Sequence, residues 1–238
     1  MTHRSLPILA SLAFVFAATT HVPAQDADSK EDSKVESKVS DPISYFLGYS
    51  VGQSMRQSGL RIEDFDLKVF LSGYSDGIDQ KEAALTDEQL RSTQQKIQSL
   101  VQKRRQEELA ANKQKGIDFL TANLKAEGVK ALDSGLQYKV IKAGKGPSPD
   151  KTDTVKVHYT GKLIDGTMFD SSVQRGEPAV FRVDGVIQGW QQALQKMNAG
   201  AKWMLYIPSD LAYGPGGSPP KIGPNEVLVF EVELLEIQ

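Results

Sequence analysis

The stretch Val155-Lys156-Val157-His158-Tyr159-Thr160-Gly161 runs on into Lys162-Leu163-Ile164-Asp165-Gly166-Thr167-Met168-Phe169-Asp170-Ser171-Ser172 and decides how the chain is read. Val155, Val157 and Tyr159 alternate with polar residues, so they share one face of a strand and His158 falls on the other. Asp165-Gly166 then marks a turn. Beyond it, Phe169-Asp170 sets a carboxylate against an aromatic ring, which raises the question of what chemistry a lone acid can do there.

Similar short runs lie on either side of this stretch. Leu136 to Lys142, Thr154 to Tyr159, Val180 to Val183, Lys202 to Ile207 and Val227 to Leu235 read as strands, separated by Gly, Pro and Asp turns. One helical stretch falls near Trp190 to Met197. This predicts an α+β domain over residues 128–238, with an antiparallel sheet curved around one short helix.

Upstream the pattern is helical. Asp41-Pro42 opens a helix carrying Ile43, Phe46, Leu47 and Val51, and Gly59 closes it. A second helix follows Asp66, with Leu67, Phe70, Leu71, Tyr74 and Ile78 on one face. Both are too short to stand alone, so residues 41–84 must pack on something. Gly48 with Gly52, and Gly73 with Gly77, are spaced either for close helix packing or by chance.

Thr86-Asp87-Glu88-Gln89 is a capping box. From there the chain runs without proline to about Glu127, with Gly128 as the expected stop. Residues 85–127 form a connecting helix of about 60 Å at 1.5 Å per residue. Its middle, Gln102 to Leu109, is nearly all polar, so it is expected to be bare there, with Gly116 as a weak point.

The first 24 residues carry Arg4, an apolar run from Leu6 to Ala18, and Val22-Pro23-Ala24. They read as a secretory leader cleaved near Ala24-Gln25; a transit peptide, the competing reading, would be richer in arginine. Residues 25–40 are polar, charged and free of aromatics, as in a disordered lead-in. An exported protein follows, periplasmic or secreted, with no membrane span.

The composition also excludes chemistries. The chain has no cysteine, so there are no disulfides or thiolate metal sites. Of its 3 histidines, only His158 lies outside the leader, so imidazole metal clusters are ruled out and a Ser-His-Asp triad could form only around that residue. A net charge of −2 argues against nucleic acid as a partner. Gly214 to Lys221 lacks the Gly-Lys-Ser/Thr ending of a phosphate loop. A hydrolase built on Asp170 needs a second carboxylate close by, which Asp165 supplies poorly across the turn.

Aromatic residues stand at strand ends and loop edges instead. Val157-His-Tyr-Thr-Gly161, Gly166-Thr-Met-Phe-Asp-Ser-Ser172, Val186-Ile-Gln-Gly-Trp190, Ile207-Pro-Ser-Asp-Leu-Ala-Tyr-Gly214 and Leu228-Val-Phe-Glu-Val-Glu-Leu234 follow one another in an order that resembles the FKBP-type peptidyl-prolyl cis-trans isomerases. The helical half is similar, more loosely, to the dimerisation region of the macrophage infectivity potentiator branch.

The resemblance implies that Trp190 floors a proline-sized pocket walled by Tyr159, Phe169, Phe181, Val186, Ile187, Ile222 and Phe230. It also implies that the Ile187 amide and the Tyr213 hydroxyl receive the carbonyls flanking the prolyl nitrogen. Asp170 would lie beside the rotating amide, with Tyr159 and Arg175 as polar neighbours, and Asp170 and Tyr213 would be the catalytic pair. It further implies no cofactor, no metal, proline-containing unfolded polypeptides as substrates, macrolide inhibitors, and a homodimer joined through residues 41–84. The rival function is a non-catalytic chaperone or binding module with the same fold. The chain departs from the family pattern at Ala179, Ser218 and Lys221.

Overall fold

Alternation along the strand at Val155 becomes the centre of the molecule. The computed structural model describes residues 39–238; the expected leader at 1–24 and the lead-in up to residue 38 lie outside the described residues. A seven-stranded antiparallel sheet runs β1 (Val129–Ala131), β2 (Gln137–Lys142), β6 (Lys202–Ile207), β7 (Leu228–Ile237), β3 (Thr154–Leu163) and β4 (Met168–Ser171). β5 (Ala179–Arg182) shares the outer edge of β3 with β4, pairing along Thr154–Val157 where β4 pairs along Thr160–Lys162. The α+β class expected from the sequence is the one observed. β1 and β4, of three and four residues, are additional to the strands read from the sequence.

Val155 and Val157 are fully buried and Tyr159 nearly so, while His158 stays on the other face. Trp203, Leu205 and Ile207 of β6 and Leu228, Phe230 and Val232 of β7 repeat the alternation. α5 (Gln188–Leu194) closes the inner face with Trp190, Ala193 and Leu194. Each such aliphatic side chain contributes about 1.5–3 kcal/mol by leaving water. The closeness of α5 depends on Gly189, where a Cβ would stand 2.4 Å from Ile207 Cγ2.

α1 (Pro42–Gln57) ends with Gly59 in the left-handed region, φ 81°, as its C-terminal cap. α2 (Leu67–Ile78) begins at Asp66, whose carboxylate accepts the Lys68 and Val69 amides. Neither helix buries a residue within the chain. The small α4 (Ser172–Arg175) follows β4 directly.

α3 (Asp87–Asn123) starts on the expected capping box of Thr86 and Gln89. It ends short of Glu127, because bonds from Lys125 to Ala122 and Ala126 to Asn123 tighten the chain to three-residue spacing before Gly128. Its middle is exposed as expected, from Gln102 to Glu108, except at Arg104, which donates to Asp64 through both terminal guanidinium nitrogens at 2.5 Å and to the Gly59 carbonyl at 3.2 Å. That pairing holds the Asp64 carboxyl down at about 2, chiefly through the Arg104 hydrogen bonds.

One expectation for this helix is corrected: Gly116 is packed and is not a weak point. It is the one buried residue of α3, and a Cβ there would lie 2.8 Å from Val227 Cγ2. The missing side chain lets the helix approach the start of β7. Asn112 donates to the Pro224 carbonyl, Asn225 donates to the Leu109 carbonyl, and Gln137 donates to the Leu120 carbonyl, so the C-terminal half of α3 is fastened to the sheet domain.

Candidate active site

The site is built where β3, β4, β7 and α5 converge. Between β3 and β4 the register passes from Gly161 opposite Asp170 to Lys162 opposite Met168, which leaves Phe169 as an extra residue. Such a bulge re-aims a side chain. Phe169 turns inward and meets Phe230 edge to face, at 5.4 Å and 84°. Gly161 makes room for both rings: a Cβ there would come within 2.6 Å of each.

Trp190 lies at the bottom, 4 % exposed. Tyr159, Phe181 and Phe230 present to it at 5.3, 5.9 and 5.2 Å, all near perpendicular. Edge-to-face contacts of this kind add about 0.5–1.5 kcal/mol each beyond area burial. The indole Nε1 is buried and has no hydrogen-bond partner among the described residues. Ile222 is buried in the same cluster, and Val186 and Ile187 pack half-buried against it. Ile187 is the N-cap of α5, and its own carbonyl accepts the Trp190 and Gln191 amides.

Asp170 stands on the polar rim of this cage. Its Oδ2 accepts a short bond from the Tyr159 hydroxyl, and its Oδ1 accepts from Arg175 Nη1 at 2.5 Å. Arg175 Nη2 also reaches the Tyr159 oxygen, at 3.1 Å, and the guanidinium carbon lies 5.6 Å from the Tyr159 ring centre. Partial burial pushes the Asp170 carboxyl up, but the bonds from Tyr159 and Arg175 outweigh it and hold it below the ordinary carboxylate range. Burial and the bond to Asp170 push the Tyr159 phenol up. The acid is therefore ionised and the phenol protonated at neutral pH.

Tyr213 is 44 % exposed, in the loop after β6. That loop is tied down by the Asn225 amide on the Gly214 carbonyl and by the reciprocal bridge between Ser218 and Ile222. The residues named from the sequence for the pocket therefore border one region, while Tyr213 lies outside the buried cluster, in the more exposed loop.

His158 is accounted for structurally. Its Nδ1 lies 3.1 Å from Ser172 Oγ, which also accepts the Tyr159 amide at 2.8 Å. Asp165 folds back on the Thr167 amide and lines a different concavity, beside Glu226 and Asn112. No cluster of three metal-ligating side chains occurs among the described residues. Sequence reading missed two contributors. Lys221 Nζ donates to the Phe169 carbonyl at 2.8 Å, and Gln174 borders the hollow beside Asp170. Lys221 was marked only as a departure from pattern, and Gln174 carried no signal.

An aromatic cage with a fixed, ion-paired carboxylate at its rim suits an uncharged group that must turn, and its geometry parallels known proteins. Residues 146–235 match the family model for the FKBP-type peptidyl-prolyl cis-trans isomerase, and residues 40–140 match that for the domain amino terminal to it. FkpA of Aeromonas hydrophila, an FKBP-type isomerase, is 49% identical over 187 residues, 77% of this chain and 69% of that protein.

The chain belongs to the FKBP-type peptidyl-prolyl cis-trans isomerases.

The outer membrane protein MIP of Legionella longbeachae is 45% identical over 74% of this chain and 77% of its own length. The crystal structure of FkpA from Escherichia coli superposes with a TM-score of 0.64 at 39% identity, covering 84% of this chain and 98% of that one. As a member of the FKBP family, the protein is an enzyme that interconverts cis and trans peptidyl-prolyl bonds. No described helix is long and apolar enough to cross a membrane.

Proposed function

We propose that isomerisation takes place over Trp190, with Tyr159, Phe169, Phe181, Val186, Ile187, Ile222 and Phe230 enclosing the proline ring and Asp170 and Tyr213 acting on the amide. The observation that carries this reading is the pairing of Asp170 with Tyr159 and Arg175 at the rim of the aromatic cage. Rotation about a prolyl bond meets a barrier near 20 kcal/mol because it breaks amide resonance, while cis and trans differ little in energy. The twisted amide carries less charge separation than the planar one, so a dry aromatic pocket stabilises it relative to the ground state. Each 1.4 kcal/mol of that preference is worth about tenfold in rate.

Asp170, held ionised and immobile, supplies a constant field to the turning carbonyl and exchanges no proton. The Ile187 N–H and the Tyr213 hydroxyl receive the flanking carbonyls. In the full chain, Asp170→Leu and Tyr213→Phe each lower kcat/KM on a prolyl tetrapeptide by about tenfold with the fold intact by circular dichroism. Unchanged rates in both variants would remove this assignment.

The protein further serves the folding of exported chains, in the periplasm or beyond it, as a homodimer joined through residues 41–84. Support comes from Ile43, Phe46, Val69 and Leu71, apolar residues of α1 and α2 that are all more than half exposed in the single chain. Two catalytic domains on α3 arms raise the effective concentration of one for a polypeptide held by the other. The aromatic cage is also the proposed seat of macrolide inhibitors.

A further inference from the structure

Beside the aromatic cage lies a hollow of about 520 Å³ that shares Phe169 and Asp170 with it and is otherwise bordered by Met168, Ser171, Gln174, Arg175 and Lys221. Its volume is in the range that accepts a side chain or a small ligand. Its charge is unbalanced. Arg175 is committed to Asp170 and to the Tyr159 oxygen, which leaves that pair neutral overall. Lys221 has no carboxylate within ion-pair distance among the described residues; its ammonium donates to the neutral carbonyl of Phe169 and keeps further N–H donors for another acceptor.

The position of Lys221 is fixed on both sides. The neighbouring Ile222 is buried, and its amide and carbonyl bridge to Ser218. The bond to the Phe169 carbonyl holds the head group over β4, one residue from Asp170. A polypeptide whose proline sits over Trp190 must carry a neighbouring residue past Phe169 and Asp170. A side chain that entered the hollow there would meet one surplus positive charge.

We propose that Lys221 makes this hollow an acidic-side-chain subsite, so that the isomerase favours prolyl bonds with Glu or Asp next to the proline. This rests on the placement of the proline over Trp190. The hollow is open to solvent and Lys221 is exposed, so the preference is modest, about threefold, and shrinks as salt screens it.

The test is a protease-free isomerisation assay on the full chain with two peptide series, Ala-Xaa-Pro-Phe and Ala-Leu-Pro-Xaa, where Xaa is Glu, Gln or Lys. At low ionic strength the Glu/Gln ratio of kcat/KM is about three at one of the two positions, and the Lys/Gln ratio is below one. Lys221→Met brings both ratios to about one, and Lys221→Arg retains them. Ratios near one in the unaltered protein at both positions overturn the proposal. So does a Lys221→Met variant that slows every peptide alike with its ratios unchanged, since Lys221 would then only clasp the loop to β4. Asp170→Leu assayed on Ala-Leu-Pro-Phe reports separately on the placement of the proline. If that variant keeps full rate, the placement fails whatever the ratios show.

Discussion

The Tyr159 hydroxyl donates to Asp170 across the β3–β4 pair, so the phenol walls the aromatic cage with its ring and anchors the carboxylate with its oxygen. One residue joins the apolar and charged halves of the site. Tyr159→Phe keeps the ring and drops the bond, and is expected to lower kcat/KM by about three- to tenfold, equivalent to about 0.7–1.4 kcal/mol. A prolyl peptide assay checks it, with Tyr159→Leu expected to cost more because the wall itself goes.

The pH dependence follows from the same bond. Asp170 is held below its ordinary value and the Tyr159 phenol above its own, so neither changes charge near neutrality. kcat/KM is therefore expected to be flat from about pH 5 to pH 9 and to fall only as acid protonates Asp170 below the usual carboxylate range near 4. His158 lies on the opposite face of β3, so His158→Gln should leave the profile flat. A bell-shaped curve centred near pH 7 would contradict this.

Gly161 carries no functional group, yet the cage closes on it. Gly161→Ala puts a methyl within 2.6 Å of both Phe169 and Phe230. Overpacking of this kind costs about 1–3 kcal/mol, and the rings can relieve it only by leaving the cage. Thermal unfolding should move down by several degrees while activity falls together with stability.

Acid should loosen the junction of α3 with the loop before α2. The Asp64 carboxyl titrates at about 2 when paired with Arg104 and near 4 when free. Its contribution to stability is therefore full above about pH 4 and is lost as pH falls toward 2. Hydrogen exchange at the Gly59–Asp64 amides should quicken over that window, and Asp64→Asn should abolish the change.

Light scattering on the chain from residue 25, compared with one starting at Leu85, tests the proposed dimer. The first is expected at twice its protomer mass and the second at its protomer mass. Equal association of both would place the interface elsewhere.

Much of this architecture was legible because it rests on repetition. The alternation of Val155, Val157 and Tyr159, the capping box at Thr86 and the left-handed Gly59 each depend on local chemistry that a sequence displays. What was hidden depends on contacts distant in the chain. Gly116 read as a flaw in a helix until Val227 was found filling the space above it. Arg104 read as one more solvated charge until Asp64 met it. β4 was not among the strands read from the sequence, although it carries the bulge that turns Phe169 into the cage. The pairing of Asp170 with Tyr159 and Arg175 came from family resemblance, since no spacing rule links those three positions. Lys221 illustrates the remaining gap: its departure from the family pattern was visible, but its carbonyl partner and the hollow it borders were not.

If the amide turns in a fixed environment with no proton transferred, the solvent isotope effect on kcat/KM must be close to one. Initial rates on Ala-Leu-Pro-Phe in light and heavy water, at matched positions on the flat part of the pH profile, should agree to within about 20 %, because no proton is in flight at the transition state. A normal effect of about two or more would mean that a side chain moves a proton as the bond rotates, and would rule out a fixed Asp170 field as the source of catalysis.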